Sequence, residues 1–208
     1  MLPKKYKAKE SEPRWQKYWS DNNVFAFDPN SKSEVYSIDT PPPTVSGVLH
    51  IGHVYSYTQA EIVARYQRMK GKNVFYPFGF DDNGLPTERF VEKKNKVRGK
   101  DLKRSEFNDL CRTTVAELEE QFRTMWSALG FSADWNLCYS TIEENCQRIS
   151  QRSFLDLLKK GLVDYREEPN MWCVTSQTAV AQAELDSVEQ ESTFNDLKFD
   201  IKEGGEII

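Results

Sequence analysis

Residues 34–53, EVYSIDTPPPTVSGVLHIGH, hold a change of structural period that decides the fold. From Glu34 to Thr40, Val35, Ser37 and Asp39 alternate with Tyr36, Ile38 and Thr40, which is the period of a β-strand. Pro41, Pro42 and Pro43 have no backbone N–H to give a ladder, so the strand ends there. A loop through Gly47 follows, then a helix over residues 51–70 closed by Gly71, then a second strand over residues 73–78. Strand, loop, helix and strand form one βαβ unit, whose crossover is right-handed and whose ligand site lies at the carboxyl ends of the strands.

Outward from this unit, residues 79–86 read as a loop leaving the second strand end. Over residues 105–129, Phe107, Leu110, Cys111, Val115, Leu118, Phe122, Met125, Trp126 and Leu129 keep helical spacing until Gly130. Thr141 and Glu144 fit a capping box for a further helix ending at Gly161, and residues 162–166 resemble a strand. Upstream, Ser11 is placed to cap a short helix carrying a Trp15, Tyr18 and Trp19 stripe that belongs in a core. Beyond Trp172 the periodicity weakens. Leu197, Phe199 and Ile201 alternate up to a Gly204-Gly205 turn before Ile207 and Ile208, a β-hairpin pattern. Those last two residues read as a strand cut short, so a truncated chain is expected.

The 208 residues, 38% of them hydrophobic, suffice for one α/β domain or for a domain and the start of a second. With 29% charged residues, no run approaches the roughly 18 consecutive apolar residues of a membrane span. The lysine-rich first ten residues lack the apolar core of a secretion signal, so a cytoplasmic protein is expected. Cys111, Cys138, Cys146 and Cys173 form no C-x-x-C pair, which argues against a disulfide framework or zinc cluster; Cys111 and Cys146 fall on apolar helix stripes. The net charge of -4 is not that of a domain-wide nucleic-acid binder. Its distribution is uneven: residues 89–104 carry net +6 and residues 182–208 net -6. The basic run suits either phosphates or a solvated helix face.

The only two histidines of the chain, His50 and His53, both stand at the strand-to-helix turn. Such a turn offers unpaired backbone N–H groups and a positive dipole end, a natural seat for phosphate oxygens, to which imidazoles add donors. Gly52 between them leaves room for a base or sugar against the backbone. The plainer alternative is a pair of capping histidines. Asp81, in the loop after the second strand, is either an ordinary turn former or a carboxylate facing the same cleft.

The H-I-G-H run at 50–53 resembles the signature of class I aminoacyl-tRNA synthetases. The likeness extends to Pro41-Pro42-Pro43, to residues 65–73 (RYQRMKGKN) and to residues 79–88 (GFDDNGLPTE), in the order found in the valine-specific branch of that family. Ala133-Asp134-Trp135 with Tyr139, residues 160–163, Trp172-Cys173 and Thr178-Ala179 are similar to the stretch leading into the family's inserted editing domain. The resemblance spans roughly residues 10–208 and implies an α/β Rossmann-like (HUP-type) parallel sheet with flanking helices. It divides the chain into a helical extension (1–33), the first half of a catalytic domain (34–190) and the start of a β-rich editing domain (191–208).

What the resemblance implies chemically is ATP-dependent activation of valine to valyl-adenylate and its transfer to tRNA(Val), with Mg²⁺ carried by ATP. His50 and His53 would be catalytic, with Gly52 beside them on the nucleotide; Pro42, Thr44 and Asp81 would hold the amino acid, Asp81 taking its ammonium. Two departures stand out: Thr44 occupies a position where valine enzymes often carry asparagine, and Cys173-Val174-Thr175-Ser176 replaces a C-x-x-C, so no metal ligand set is expected. Isoleucyl and leucyl enzymes share the architecture. A small H-x-G-H nucleotidyltransferase would place its motif nearer the N-terminus. A non-catalytic synthetase-derived module is kept open by the lack of a K-M-S-K-S run, and for that reason these 208 residues by themselves are not expected to aminoacylate. A monomer is expected.

Overall fold

The computed structural model describes residues 5–47, 49–200, 202, 204, 206 and 207, without the side chains of Ala183, Asp200, Glu206 and Ile207. The first lysine-rich residues, Val48 of the histidine turn, and Ile201, Gly205 and Ile208 of the terminal hairpin lie outside the described residues. The chain divides into two compact units, residues 1–164 and 165–208.

In the first unit, β1 (Val35–Ser37) is joined by α2 (Ile51–Met69) to β2 (Asn73–Phe75), and the two strands pair in parallel with Tyr36 opposite Val74. The expected crossover unit is therefore present. Pairing continues past the strands proper: Ile38 N–H donates to Phe75 O at 2.9 Å, Asp81 N–H to Pro43 O at 2.9 Å and Val45 N–H to Asp81 O at 2.9 Å. On the opposite edge of the same extended run, Asp134 N–H donates to Tyr76 O, Tyr139 N–H to Phe78 O and Thr141 N–H to Phe80 O. The last of these extends the parallel pair β3 (Gly79–Phe80) and β4 (Tyr139–Ser140). Residues 73–82 are thus a central line flanked on both sides, and residues 79 and 80, expected in a loop, belong to it.

Alternation along that line sets the core. Val74, Tyr76, Phe78, Phe80 and Asp82 are all buried, and Phe80 packs on Phe122 while Phe78 packs on Trp126. Phe122 and Trp126 belong to α4 (Arg104–Ala128), which buries the expected stripe through Val115, Leu118, Phe122 and Trp126. Tyr57 of α2 closes the aromatic cluster, 4.9 Å from the Trp126 ring centre. Between strand and helix, α3 (Leu85–Asn95) starts immediately after the central line, with Pro86 in its first turn where no N–H is needed. It opens the basic run of residues 89–104, several of whose cations meet carboxylates, as in Lys94 with Glu117 at 2.7 Å.

Four local readings are corrected by the structure. Helix α1 (Ala8–Asp21) begins a turn before Ser11, because Ser11 N–H and Glu10 N–H both reach Lys7 O, and Pro13 inside it forfeits only one helical bond. Its aromatic stripe is not core: Trp15 and Tyr18 are exposed, and only Trp19 packs, 5.4 Å from Phe25. Thr141 does not cap α5 (Glu144–Lys159); Glu143 holds that position and the Thr141 hydroxyl is engaged elsewhere. Residues 162–166 form no strand, having no ladder partner among the described residues.

Among its described residues the second unit holds two antiparallel hairpins and, between them, a short 3-10 turn (Gln182–Glu184). β5 (Trp172–Cys173) pairs with β6 (Thr178–Ala179), and β7 (Phe199–Asp200) with β8 (Glu206–Ile207), the latter where a terminal hairpin was expected. In the first hairpin the Cys173 Sγ lies 3.1 Å from Ser176 Oγ.

Candidate functional site

His50 is the N-cap of α2, in extended conformation, and its Nδ1 accepts the Gly52 N–H at 3.1 Å. Reciprocally, the His50 N–H donates to His53 Nδ1 at 3.3 Å. This is the logic of a capping box performed by two imidazoles, and it brings the rings to 4.0 Å between centres. Both Nδ1 atoms being acceptors, each neutral ring carries its proton on Nε2. The hydrogen-bond network assigns that tautomer. His53 is held below the usual histidine range, first by burial and then by the neighbouring His50, which favours the neutral donor form. The plainer capping role is therefore real, and among the described residues neither Nε2–H has a hydrogen-bond partner.

Gly52 has a tighter reason than room for a ligand. A Cβ there would lie 2.9 Å from His50 Cε1 and 3.0 Å from Nδ1, so a side chain would push the His50 ring out of its cap. The turn is tied back to the sheet by Tyr57, whose hydroxyl donates to Pro41 O; burial pushes that phenol up to about 12.

Asp81 lies at the carboxyl end of the central line, in a parallel bridge with Thr44. Its Oδ2 accepts the Thr44 hydroxyl at 3.3 Å. Its Oδ1 accepts the Asn83 N–H at 3.3 Å and the Thr141 hydroxyl at 3.4 Å. The carboxylate thus gathers donors from three segments meeting at one end of the sheet. Pro42 is half-buried on the segment just before Thr44. The structure therefore brings Thr44 and Asp81 together, with Pro42 two residues before Thr44, and it brings His50, Gly52 and His53 together. The two groups are joined by the short run from Thr44 to Leu49; among the described residues no hydrogen bond passes from an imidazole to Asp81.

Asp82 turns the other way, into the core. It is 6% exposed, its Oδ2 accepts the Ser140 hydroxyl, and its Oδ1 meets no N–H or O–H donor among the described residues. Glu119 of α4 stands near enough for the two carboxyls to act on each other's ionisation, an arrangement best accommodated when one of them keeps its proton. Burial raises both; Asp82 is raised further by the charge of Asp81 and held back by Ser140 and Glu119, whereas Asp82 adds to the rise of Glu119, which is pushed up to about 8. Sequence reasoning missed Asp82, Glu119, Ser140 and Thr141 as members of this site. The alternation of residues 74–82 could have placed Asp82 inside, whereas Glu119 carries no local signal of its own.

A backbone end that presents N–H groups and two imidazole donors on one side, and a pinned carboxylate on the other, suits a zwitterionic or phosphorylated ligand. Residues 14–196 match the family described as tRNA synthetases class I (I, L, M and V). The valine--tRNA ligase of Rickettsia felis is 52% identical over 203 residues, which is 97% of this chain and 24% of the relative. That of Rickettsia prowazekii is 47% identical over 207 residues, 99% of this chain and 25% of the relative. The chain spans about a quarter of the length of these curated relatives. Among solved structures, the ternary complex Agrobacterium radiobacter K84 agnB2 LeuRS-tRNA-LeuAMS superposes with a TM-score of 0.70 at 28% identity, covering 86% of this chain and 21% of that one.

Proposed function

We propose, given that this chain belongs to the class I tRNA synthetases (I, L, M and V), that it supplies the nucleotide and amino-acid half-site of an enzyme joining valine to tRNA(Val) through valyl-adenylate. The observation that carries the proposal is the reciprocal imidazole cap at the start of α2, which leaves two Nε2–H donors beside a helix N-terminus. Attack of a valine carboxylate on the ATP α-phosphate needs no general base, because the nucleophile is already ionised. The protein's task is to hold the groups in line and to stabilise charge growing on the phosphate oxygens. His50 and His53 do the latter, with Gly52 keeping the cap compact. Mg²⁺ arriving on the triphosphate would offset part of its charge.

The amino acid's ammonium goes to Asp81. An ionised carboxylate offers about four lone-pair directions. Three are filled by Thr44, Asn83 and Thr141, which leaves one, and the full negative charge, for the ligand. Pro42 and Thr44 border the same place. The choice of valine rests on the identity of about 50% with valine--tRNA ligases over nearly the whole chain, against 28% with the leucine-related structure. In this reading residues 34–190 are the first half of a Rossmann-like (HUP-type) catalytic domain preceded by a helical extension over residues 1–33. The hairpin at residues 191–208 opens an editing domain. A cytoplasmic site of action goes with it; no helix among the described residues is long and apolar enough to cross a membrane.

The test is amino-acid-dependent ATP–pyrophosphate exchange by the protein as its gene encodes it, with valine, isoleucine, leucine and methionine compared. Valine is expected to give the highest kcat/KM. A preference for another amino acid removes the valine assignment, and no exchange with any of them removes the adenylation chemistry.

A further inference from the structure

We propose that Thr141 is a positioning residue for Asp81, aiming its carboxylate at the amino-acid ammonium; this rests on the role given to Asp81 above. The argument begins with proton bookkeeping at one hydroxyl. Thr141 Oγ1 accepts the Asp82 backbone N–H at 3.0 Å, and Asp81 Oδ1 lies 3.4 Å away. A hydroxyl has a single proton. With a lone pair occupied by the Asp82 N–H, that proton is free to point at the carboxylate, the acceptor standing next to it. The backbone of one aspartate thus orients the hydroxyl that orients the other.

Register supplies the second step. Thr141 follows β4, whose Ser140 pairs with Phe80, and Thr141 N–H donates to Phe80 O at 3.0 Å. The parallel ladder therefore delivers residue 141 beside residue 81, as the opposite edge delivers Thr44 to the same carboxylate. Two threonines from the two neighbouring lines bracket Asp81, one on each oxygen. Free rotation of the carboxylate about its last torsion would otherwise be broad, since terminal sp³–sp² torsions have shallow wells. Held on both oxygens, the group keeps one fixed direction open to the ligand.

The alternative occupation of Thr141 is excluded by the same contacts. α5 begins at Glu144 with Glu143 as its cap, and the Thr141 hydroxyl makes no bond to that helix among the described residues. Ser140 plays a parallel part on the inner face, donating to Asp82. The pair Ser140-Thr141 thus serves Asp82 and Asp81 in turn.

The experiment is valine-dependent exchange by the complete protein with T141V, T141S and D81N. T141V, which keeps the volume and removes the hydroxyl, is expected to raise the KM for valine roughly tenfold, as loss of a hydrogen bond to a charged group does. The KM for ATP should stay within about twofold, and T141S should restore valine KM to near the parent value, because serine keeps the hydroxyl. In a D81N background T141V should add little. A T141V enzyme with unchanged valine KM, alongside a D81N enzyme whose KM is raised, overturns the positioning role while leaving Asp81 in place. If D81N itself leaves valine KM unchanged, the role given to Asp81 fails instead. Should T141V not fold, T141A takes its place with the same expectations, and failure of T141S to restore KM counts against the proposal.

Discussion

Replacing Gly52 by alanine sets two effects against each other, and their sizes decide what is measured. Within a helix, glycine to alanine gains roughly 0.5–1 kcal/mol from backbone entropy. The new Cβ, however, would sit 2.9 Å from His50 Cε1 and 3.0 Å from Nδ1, closer than carbon and nitrogen tolerate. The ring must swing away, which breaks the 3.1 Å bond from Gly52 N–H to His50 Nδ1. Loss of an N-cap costs about 0.5–2 kcal/mol. The two nearly cancel, so G52A is expected to melt within about 3 °C of the parent, taking roughly 2–4 °C per kcal/mol for a domain of this size. Activity has no such compensation. A displaced His50 takes its Nε2–H away from the phosphate, and one hydrogen bond to a charged oxygen is worth about 1.5–3 kcal/mol, so exchange should fall roughly ten- to a hundredfold. The assay pairs a thermal melt with valine-dependent ATP–pyrophosphate exchange. Full activity in a normally folded G52A protein would refute the reasoning, because it would mean that the His50 ring need not stay where the cap holds it.

Two further outcomes test the packing and the inner acids. Trp126 is fully buried, with Phe131 at 4.7 Å and Tyr57 at 4.9 Å between ring centres, so W126A should cost about 3–5 kcal/mol and lower the melting temperature by roughly 10 °C, whereas W15A, at an exposed ring, should stay within about 0.5 kcal/mol. Glu119, pushed up to about 8 from an ordinary 4.5, keeps in the folded state a proton that the unfolded chain releases above 4.5; stability from this group is therefore fully present below 4.5 and is lost as pH rises through about 8. E119Q, which stays neutral, should gain melting temperature relative to the parent as pH is taken from about 6 to about 9, and a difference that stays flat across that range would show that Glu119 does not hold the proton.

The parts of this molecule written in short-range pattern were legible in the sequence. The Tyr36 and Ile38 alternation, the triple proline and the Val115, Leu118, Phe122 and Trp126 spacing announce β1, its end and α4, because each depends on one periodicity. The placement of the histidine turn and of Asp81 was legible too, since each stands where a strand gives way to a helix. What stayed hidden depends on neighbours distant in the chain. Thr141-x-x-Glu144 fits a capping box and a strand end equally well, and only the parallel register with Phe80 gives its hydroxyl to Asp81 and Asp82. Trp15 and Tyr18 have core spacing, yet α1 buries no residue. Gly52 was read as space for a ligand, whereas its nearest obstacle is the ring of His50. Glu119 follows Leu118 on a helix with nothing to mark it, and its meaning comes from Asp82 across the core.

The most direct measurement is the distance from the two imidazole Nε2 atoms to the phosphate oxygens of a non-hydrolysable valyl-adenylate analogue bound to the crystalline protein. The account predicts oxygens within about 2.7–3.2 Å of the Nε2 atoms of His50 and His53, with the ligand's ammonium at Asp81. An analogue bound with its phosphate remote from both rings, or with its ammonium on another carboxylate, would contradict it.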